Sequence, residues 1–141
     1  MRPKLAIAAL VGIAATGAFR AISAQGTTQW DGVYTAEQAK RGQVAYTDMC
    51  AACHGADLEG ADVPSLTGSG FVNTWNDLTV GQLFERIKFS MPVDAPGTLT
   101  PQQTADIVAF ILQKGNFPAG QSELPSQIEA LNGIKFVATK P

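Results

Sequence analysis

The stretch CAACH, Cys50 to His54, contains both cysteines and the only histidine of this 141-residue chain. Thiol and imidazole side chains bind metals, form covalent links and exchange electrons more readily than most other side chains. Their concentration within five positions therefore marks a chemical site. Since the fold has to present these residues to whatever they bind, they also constrain how the rest of the chain is arranged.

Three uses of this stretch either conflict with the sequence or leave part of it unexplained. A thioredoxin-like dithiol follows a strand and begins a helix, whereas a helical pattern precedes Cys50. A structural zinc site needs four ligands, and the chain has no further cysteine or histidine. A disulfide between Cys50 and Cys53 in an exported protein is the plainest alternative, but it gives no role to His54.

The spacing C-x-x-C-H favours covalent haem. In this arrangement Cys50 and Cys53 form thioethers with the porphyrin vinyl groups, and the short spacing places His54 to bind the iron from one face. The small residues Ala51 and Ala52 allow the chain to turn tightly at the ring edge. We therefore predict one covalent haem c, bound at these residues.

The candidates for a second iron ligand are the three methionines of the chain. Met1 would be removed with the signal peptide predicted below, and Met49 directly precedes Cys50, from which it cannot reach the opposite face of the ring. Met91 remains, where a helical segment gives way to a proline-containing loop. Histidine with methionine is a known ligand pair of cytochromes c, so we predict Met91 as the second ligand. Core packing is the alternative role for this side chain.

The N-terminal residues have the pattern of a secretory signal peptide. Arg2 and Lys4 precede the uncharged apolar run Leu5–Phe19, and small residues near position 24 offer cleavage sites. A retained membrane anchor is the alternative, but this run is shorter than the roughly 20 residues that cross a bilayer. We therefore predict a signal peptide over residues 1–24, a periplasmic or otherwise exported protein, and no stable membrane span after cleavage.

Composition and charge restrict the class of protein. A hydrophobic content of 45% and a charged content of 16% indicate a globular chain. Without the three basic residues of the predicted signal peptide, 7 basic and 12 acidic residues remain, a net charge of −5 with His54 neutral. The sequence has no Lys/Arg run and no nucleic-acid-binding motif, so we expect no nucleic-acid partner.

Capping signals and apolar spacing predict three main helices, over residues 34–49, 78–91 and 101–114. Each begins at a threonine followed three positions later by glutamine, namely Thr35 and Gln38, Thr79 and Gln82, and Thr100 and Gln103. The Gly-, Asp- and Ser-rich segment 54–74 predicts a long loop with little regular structure. Since no segment alternates with period two, the predicted fold is all-α, with a core domain over 25–115 and an extension over 116–141.

The segments GQVAYTDMCAACHG, VPSLTG, FSMP and LTPQQTADIVAFIL resemble a class I, monohaem cytochrome c over about residues 35–115. The resemblance implies the cytochrome c fold, with three main helices and long loops wrapped around one covalent haem. It also implies that the first and last helices cross at Gly42, against Tyr46 and Phe110. The carbonyl group of Pro64 would accept a hydrogen bond from the ligand His54, which would increase the donation of the imidazole to iron.

The resemblance implies further contacts with the haem. Trp75 would bind a haem propionate through its indole N–H, and burial without such a role is the alternative. Apolar side chains would exclude water from the ring and so raise the reduction potential. The expected residues are Leu66, Phe71, Leu83, Ile87 and Leu99.

These features predict a one-electron carrier and not an enzyme. We expect the carrier to be a monomer or a subunit of a complex. Its redox partners would be exported or membrane proteins such as a quinoprotein dehydrogenase donor and a terminal oxidase acceptor. The stretch FPAGQSELP in residues 116–141 is similar to extensions of small cytochromes associated with quinoprotein alcohol dehydrogenases, and packing of the extension on its own domain is the alternative. Two other classes stay open: a haem enzyme or gas sensor with an open distal site, and a haem-free disulfide module.

Overall fold

The computed structural model describes residues 27–60 and 62–141, and the predicted signal peptide lies outside these residues. The described chain contains a 3-10 turn, Gln29–Asp31, and six α-helices. The helices are α1 (Ala36–Met49), α2 (Ala51–His54), α3 (Gly68–Trp75), α4 (Val80–Ser90), α5 (Pro101–Lys114) and α6 (Ile128–Leu131). The all-α prediction is confirmed. Among the described residues, no helix combines the length and apolar composition that crossing a bilayer requires.

The three predicted helices form, and two of the three predicted capping boxes are present. Thr79 begins α4 and Thr100 begins α5, each with the reciprocal hydrogen bonds of a capping box. Thr35 caps α1 by accepting a hydrogen bond from the backbone N–H of Gln38, but the return bond is absent. The prediction of a box at this helix was wrong because the Gln38 side chain is fully buried and binds the backbone of Leu124 instead.

The predicted long loop over residues 54–74 contains a helix. Helix α3 occupies its second half, and α2 ends at His54. The sequence does not signal α3 because Gly68 and Gly70 are poor helix formers, and Thr67 begins the helix without a side-chain cap. Phe71 is the one buried residue of α3, so burial of this ring accounts for a helix that local preferences do not predict.

Helices α1 and α5 cross in direct backbone contact. A Cβ atom on Gly42 would overlap the carbonyl oxygen of Asp106 and would lie 3.0 Å from Cβ of Phe110. Beside this contact the rings of Tyr46 and Phe110 pack with their centroids 5.2 Å apart. The crossing that the family resemblance implied is therefore present, and glycine is required at position 42 because two backbones meet there.

An ion pair reinforces the crossing of α1 and α5. Asp106 is 6% exposed, and its carboxylate accepts two hydrogen bonds from Arg41, both of 3.1 Å. Gln102 donates a further bond of 2.8 Å to the same carboxylate. Arg41 also reaches Glu123, at 2.9 Å. The guanidinium group therefore connects α1 both to α5 and to the chain beyond α5.

The C-terminal extension packs on the helices through buried apolar side chains. They are Phe117, Leu124, Leu131, Ile134 and Phe136. Two buried glutamines also hold its backbone: Gln38 binds both the N–H and the carbonyl group of Leu124, and Gln29 binds both groups of Val137. These paired bonds satisfy backbone groups that the extension would otherwise bury without partners.

We predict that replacing Gln38 by Leu lowers the free energy of unfolding by about 2 kcal/mol or more, because each buried polar group left unpaired costs roughly 1–3 kcal/mol. Gln43→Leu, an exposed position on the same helix, should change stability by less than about 0.5 kcal/mol. Urea unfolding followed by circular dichroism measures both. Equal losses of stability in the two variants would contradict the conclusion that the hydrogen bonds between Gln38 and the Leu124 backbone stabilise the fold.

Candidate functional site

A cavity of about 1300 Å³ is lined by residues of five helices, α1 to α5, and of the loops that precede α3 and follow α4. Its walls are mostly apolar. Pockets for small-molecule ligands have volumes of roughly 300–1,000 Å³. The cavity is therefore large enough for a bulky, mostly apolar group.

The CAACH stretch forms a tight turn in the wall of this cavity. Cys50 is the C-terminal cap of α1, and its N–H donates to the carbonyl oxygen of Tyr46 at 2.8 Å. Its own carbonyl oxygen accepts from Cys53 and His54, at 3.1 and 2.9 Å, and this closes the single turn of α2. Positions three and four apart lie on one face of a helix. Cys50, Cys53 and His54 accordingly all line the cavity.

The two thiols are separate rather than joined in a disulfide, with Cys50 half-buried and Cys53 exposed. Burial, with the neighbouring Cys53 as a smaller cause, raises the pKa of the Cys50 thiol to about 11. A redox dithiol requires the opposite, a thiol whose pKa is lowered. The described residues also contain no group of three or more His, Cys, Asp or Glu side chains that could hold a metal ion. Neither the dithiol nor the zinc interpretation is supported.

The imidazole of His54 is oriented by the loop that precedes α3. Its Nδ1 atom lies 3.2 Å from the carbonyl oxygen of Pro64. A carbonyl oxygen can only accept a hydrogen bond, so in the neutral imidazole Nδ1 carries the proton and the lone pair is on Nε2. The contact with Pro64 is the one that the family resemblance implied. It leaves Nε2 able to bind a metal ion.

Backbone and side-chain hydrogen bonds hold the Pro64 loop in place. The N–H of Leu66 donates to the carbonyl oxygen of Leu58 at 2.8 Å, and the hydroxyl of Ser65 donates to the same oxygen at 3.1 Å. The N–H of Gly60 binds the carbonyl oxygen of His54 at 2.9 Å. Gly60 has a φ of +68°, and a Cβ atom there would overlap the carbonyl oxygen of Val63.

Both methionines of the described chain line the cavity. Met91 follows the last residue of α4, and its N–H donates to the carbonyl oxygen of Ile87 at 3.0 Å. Met49 is the last residue of α1 and adjoins Cys50. Met91 therefore lies at the end of α4, away from the CAACH turn along the chain, whereas Met49 immediately precedes that turn.

Four of the side chains predicted to exclude water line the cavity: Leu66, Phe71, Leu83 and Ile87. Trp75 also lines the cavity. The prediction for Leu99 was wrong: this residue is 1% exposed in the core and is not part of the cavity wall. It directly precedes the cap of α5, and at that point the chain has already returned to the helical core.

Sequence reasoning missed several residues of the wall. Ile107 and Ile111 lie one turn apart on α5 and both face the cavity. Their spacing of four was a usable signal, since it places them on one face of the helix. Tyr46 also lines the cavity, and its hydroxyl donates to the carbonyl oxygen of Gly55 at 2.6 Å. Arg86 brings a cationic side chain to the same wall.

Comparison with known proteins adds a family match. Residues 37–111, more than half of the chain, match the family model described as "Cytochrome C oxidase, cbb3-type, subunit III". The chain is similar to one chain in the crystal structure of the sulfane dehydrogenase SoxCD from Paracoccus pantotrophus. The two chains have 25% sequence identity and a TM-score of 0.45, and the match covers 62% of this chain. It spans about half, 53%, of that SoxCD chain. No curated protein matches it.

We predict that Gly60→Ala displaces the Val63–Pro64 backbone and weakens the bond to His54. The expected loss of stability is about 1–3 kcal/mol, as for other overpacked sites, and the Nδ1 proton of His54 should exchange faster. Gly97→Ala is the matched control, because Gly97 also has a positive φ, +79°, but nothing lies within 4 Å of its added Cβ atom. NMR measures the proton exchange. Equal exchange in both variants would show that the backbone contact at Gly60 does not position Pro64.

Proposed function

The chain belongs to the cytochrome c family, in the group described as cbb3-type cytochrome c oxidase subunit III, and we propose that it carries single electrons between exported redox proteins. Its family membership implies covalently bound haem c. When bound, the haem supplies an iron that gains and loses one electron. The observation that carries the proposal is that Cys50, Cys53, His54 and Met91 all line one large apolar cavity.

In this proposal Cys50 and Cys53 attach the haem through thioethers. Support comes from their free thiols, their spacing of three in the α2 turn and their common position on the cavity wall. His54 would be the first iron ligand, because its Nδ1 atom faces the carbonyl oxygen of Pro64 and leaves Nε2 available. Pro64 therefore fixes the tautomer of this ligand and increases its donation.

Met91 is the proposed second ligand. It lines the same cavity as His54 but comes from the end of α4, whereas Met49 is next to the first thioether cysteine. If His54 and Met91 both bound the iron, no coordination position would be left for oxygen or peroxide, and this would favour electron transfer. The alternative of an open distal site requires Met91 to stay away from the iron.

Apolar side chains complete the pocket and exclude water from most of it. The walls contributed by α4 and α5 include Leu83, Ile87, Ile107 and Ile111. An environment without water would disfavour the additional positive charge of oxidised iron, so burial would raise the reduction potential. Binding of the iron by the Met91 sulfur would raise it further. Trp75 lines the same cavity, and its indole N–H is proposed to bind a haem propionate.

Electrons would enter and leave where the cavity wall meets the surface. Ala52, Cys53 and Pro64 are exposed residues of the wall, and Val93, 78% exposed, lies on the wall contributed by the Met91 loop. A small contact with a partner at this edge suits a transient carrier. We propose an exported, periplasmic location, a quinoprotein dehydrogenase as donor and a terminal oxidase as acceptor. The protein would act as a monomer or as a non-catalytic subunit.

We predict that the exported protein gains the mass of one haem and that this mass stays attached in denaturant. Cys50→Ala and Cys53→Ala should each remove one thioether, and the double variant should yield a chain without covalent haem. Mass spectrometry and the absorbance spectrum measure both properties. A colourless protein whose thiols are free or joined to each other would refute the proposed function.

We predict that Met91→Leu abolishes the near-infrared charge-transfer band of the ferric thioether complex, lowers the reduction potential and makes the reduced protein bind carbon monoxide rapidly. Leucine keeps the apolar volume but cannot bind iron. Met49→Leu is the matched control and should retain the band, the potential and the resistance to carbon monoxide. If wild-type protein already binds carbon monoxide rapidly and has no such band, the carrier proposal fails in favour of the open site.

A further inference from the structure

The end of the C-terminal extension lies between two other segments of the chain. On one side the N–H of Phe136 donates to the carbonyl oxygen of Leu78, and the N–H of Asp77 donates to the carbonyl oxygen of Phe136, both at 2.8 Å. The N–H of Val80 donates to the carbonyl oxygen of Ile134 at 2.9 Å. This side of the extension is therefore paired with the connection between α3 and α4.

The other side of the same segment pairs with the N-terminal part of the described chain. The N–H of Gln29 donates to the carbonyl oxygen of Lys135 at 3.1 Å, and the N–H of Lys135 donates to Thr27 at 2.8 Å. The indole N–H of Trp30 also donates to the carbonyl oxygen of Val137, at 3.2 Å. The backbone of this segment is therefore hydrogen-bonded on both sides, to the N-terminal part of the described chain and to the connection between α3 and α4.

Phe136 connects this segment to the cavity wall. Its side chain is fully buried, and its ring packs edge-on against Phe117 on one side, at 5.5 Å, and against Phe71 on the other, at 6.1 Å. Phe71 in turn packs against Trp75 at 6.1 Å, and both Phe71 and Trp75 line the cavity. Phe136 therefore supports the wall from behind without forming part of it.

Helix α3 is anchored by one buried ring, with Val72 and Trp75 partly buried against the core. It lacks a side-chain cap at its N-terminus, and Phe71 is its one buried residue. At its C-terminal end, the side-chain oxygen of Asn76 accepts a hydrogen bond of 2.7 Å from the N–H of Ala138. The extension thus contacts both the buried ring of α3 and the residue that ends the helix.

We infer that the C-terminal extension positions one wall of the haem pocket: Phe136 holds Phe71 and, through it, Trp75 in place, and thereby limits water at that wall. Phe136 is a positioning residue that acts through Phe71. The inference rests on the proposed function in taking haem as the occupant of the cavity. It assigns the extension a role within its own domain, independent of any role in docking a donor.

The test compares Phe136→Ala with Leu124→Ala in the full-length exported protein. Leu124 is also a buried side chain of the extension, and its bonds with Gln38 involve only the Leu124 backbone, so they survive the substitution. Both variants should lose stability. Only Phe136→Ala should lower the midpoint potential, because added water stabilises oxidised iron, and only this variant should shift the fluorine NMR signal of 5-fluorotryptophan at Trp75.

A second comparison shows whether the effect passes through Phe71. In a Phe71→Leu background, Phe136→Ala should lower the potential by less than it does in the wild-type background, because the ring that transmits the effect is already absent. If Phe136→Ala does not fold, Phe136→Leu is used in both backgrounds. Equal shifts of potential in the Phe136 and Leu124 variants, or no shift in either, would overturn the inference. Absence of covalent haem from the wild-type protein would instead refute the proposed function.

Discussion

The close crossing of α1 and α5 determines where the CAACH turn begins. Without a Cβ atom at Gly42 the two helix backbones meet, and Cys50 follows directly from the end of α1. Tyr46 packs on Phe110 at this crossing and donates its hydroxyl to the carbonyl oxygen of Gly55, just beyond the turn. Burial raises the pKa of Tyr46 to about 12, so the hydroxyl keeps its proton even at the alkaline pH at which a free tyrosine ionises. Tyr46 therefore connects the CAACH turn to the pair of helices α1 and α5.

A cavity of about 1300 Å³ lies among helices α1 to α5. Part of the apolar core is therefore built from another segment of the chain. The C-terminal extension supplies part of that core, with large apolar side chains such as Phe117, Leu131 and Phe136. Gln29 and Gln38 make this arrangement possible, because they satisfy extension backbone that is buried away from water. The extension thus belongs to the same packed unit as the helices that form the pocket.

Local sequence signals predicted the features that depend on nearby residues. The threonine and glutamine pairs at α4 and α5 formed capping boxes because both partners lie within one turn. The same signal failed at α1, since Gln38 binds Leu124, 86 positions away. Helix α3 was missed for a similar reason: its buried ring packs against Phe136, and no local pattern encodes that contact.

The sequence by itself determined which chemical groups stand together at the candidate site. The spacing of Cys50, Cys53 and His54 places all three on one turn, because a helix brings positions three and four apart to the same face. Only the tertiary structure decided which distant residues complete the pocket, including Ile107, Ile111 and the wall supported by the extension. Such contacts depend on how whole elements pack, and packing brings together residues whose separation along the chain carries no periodic signal.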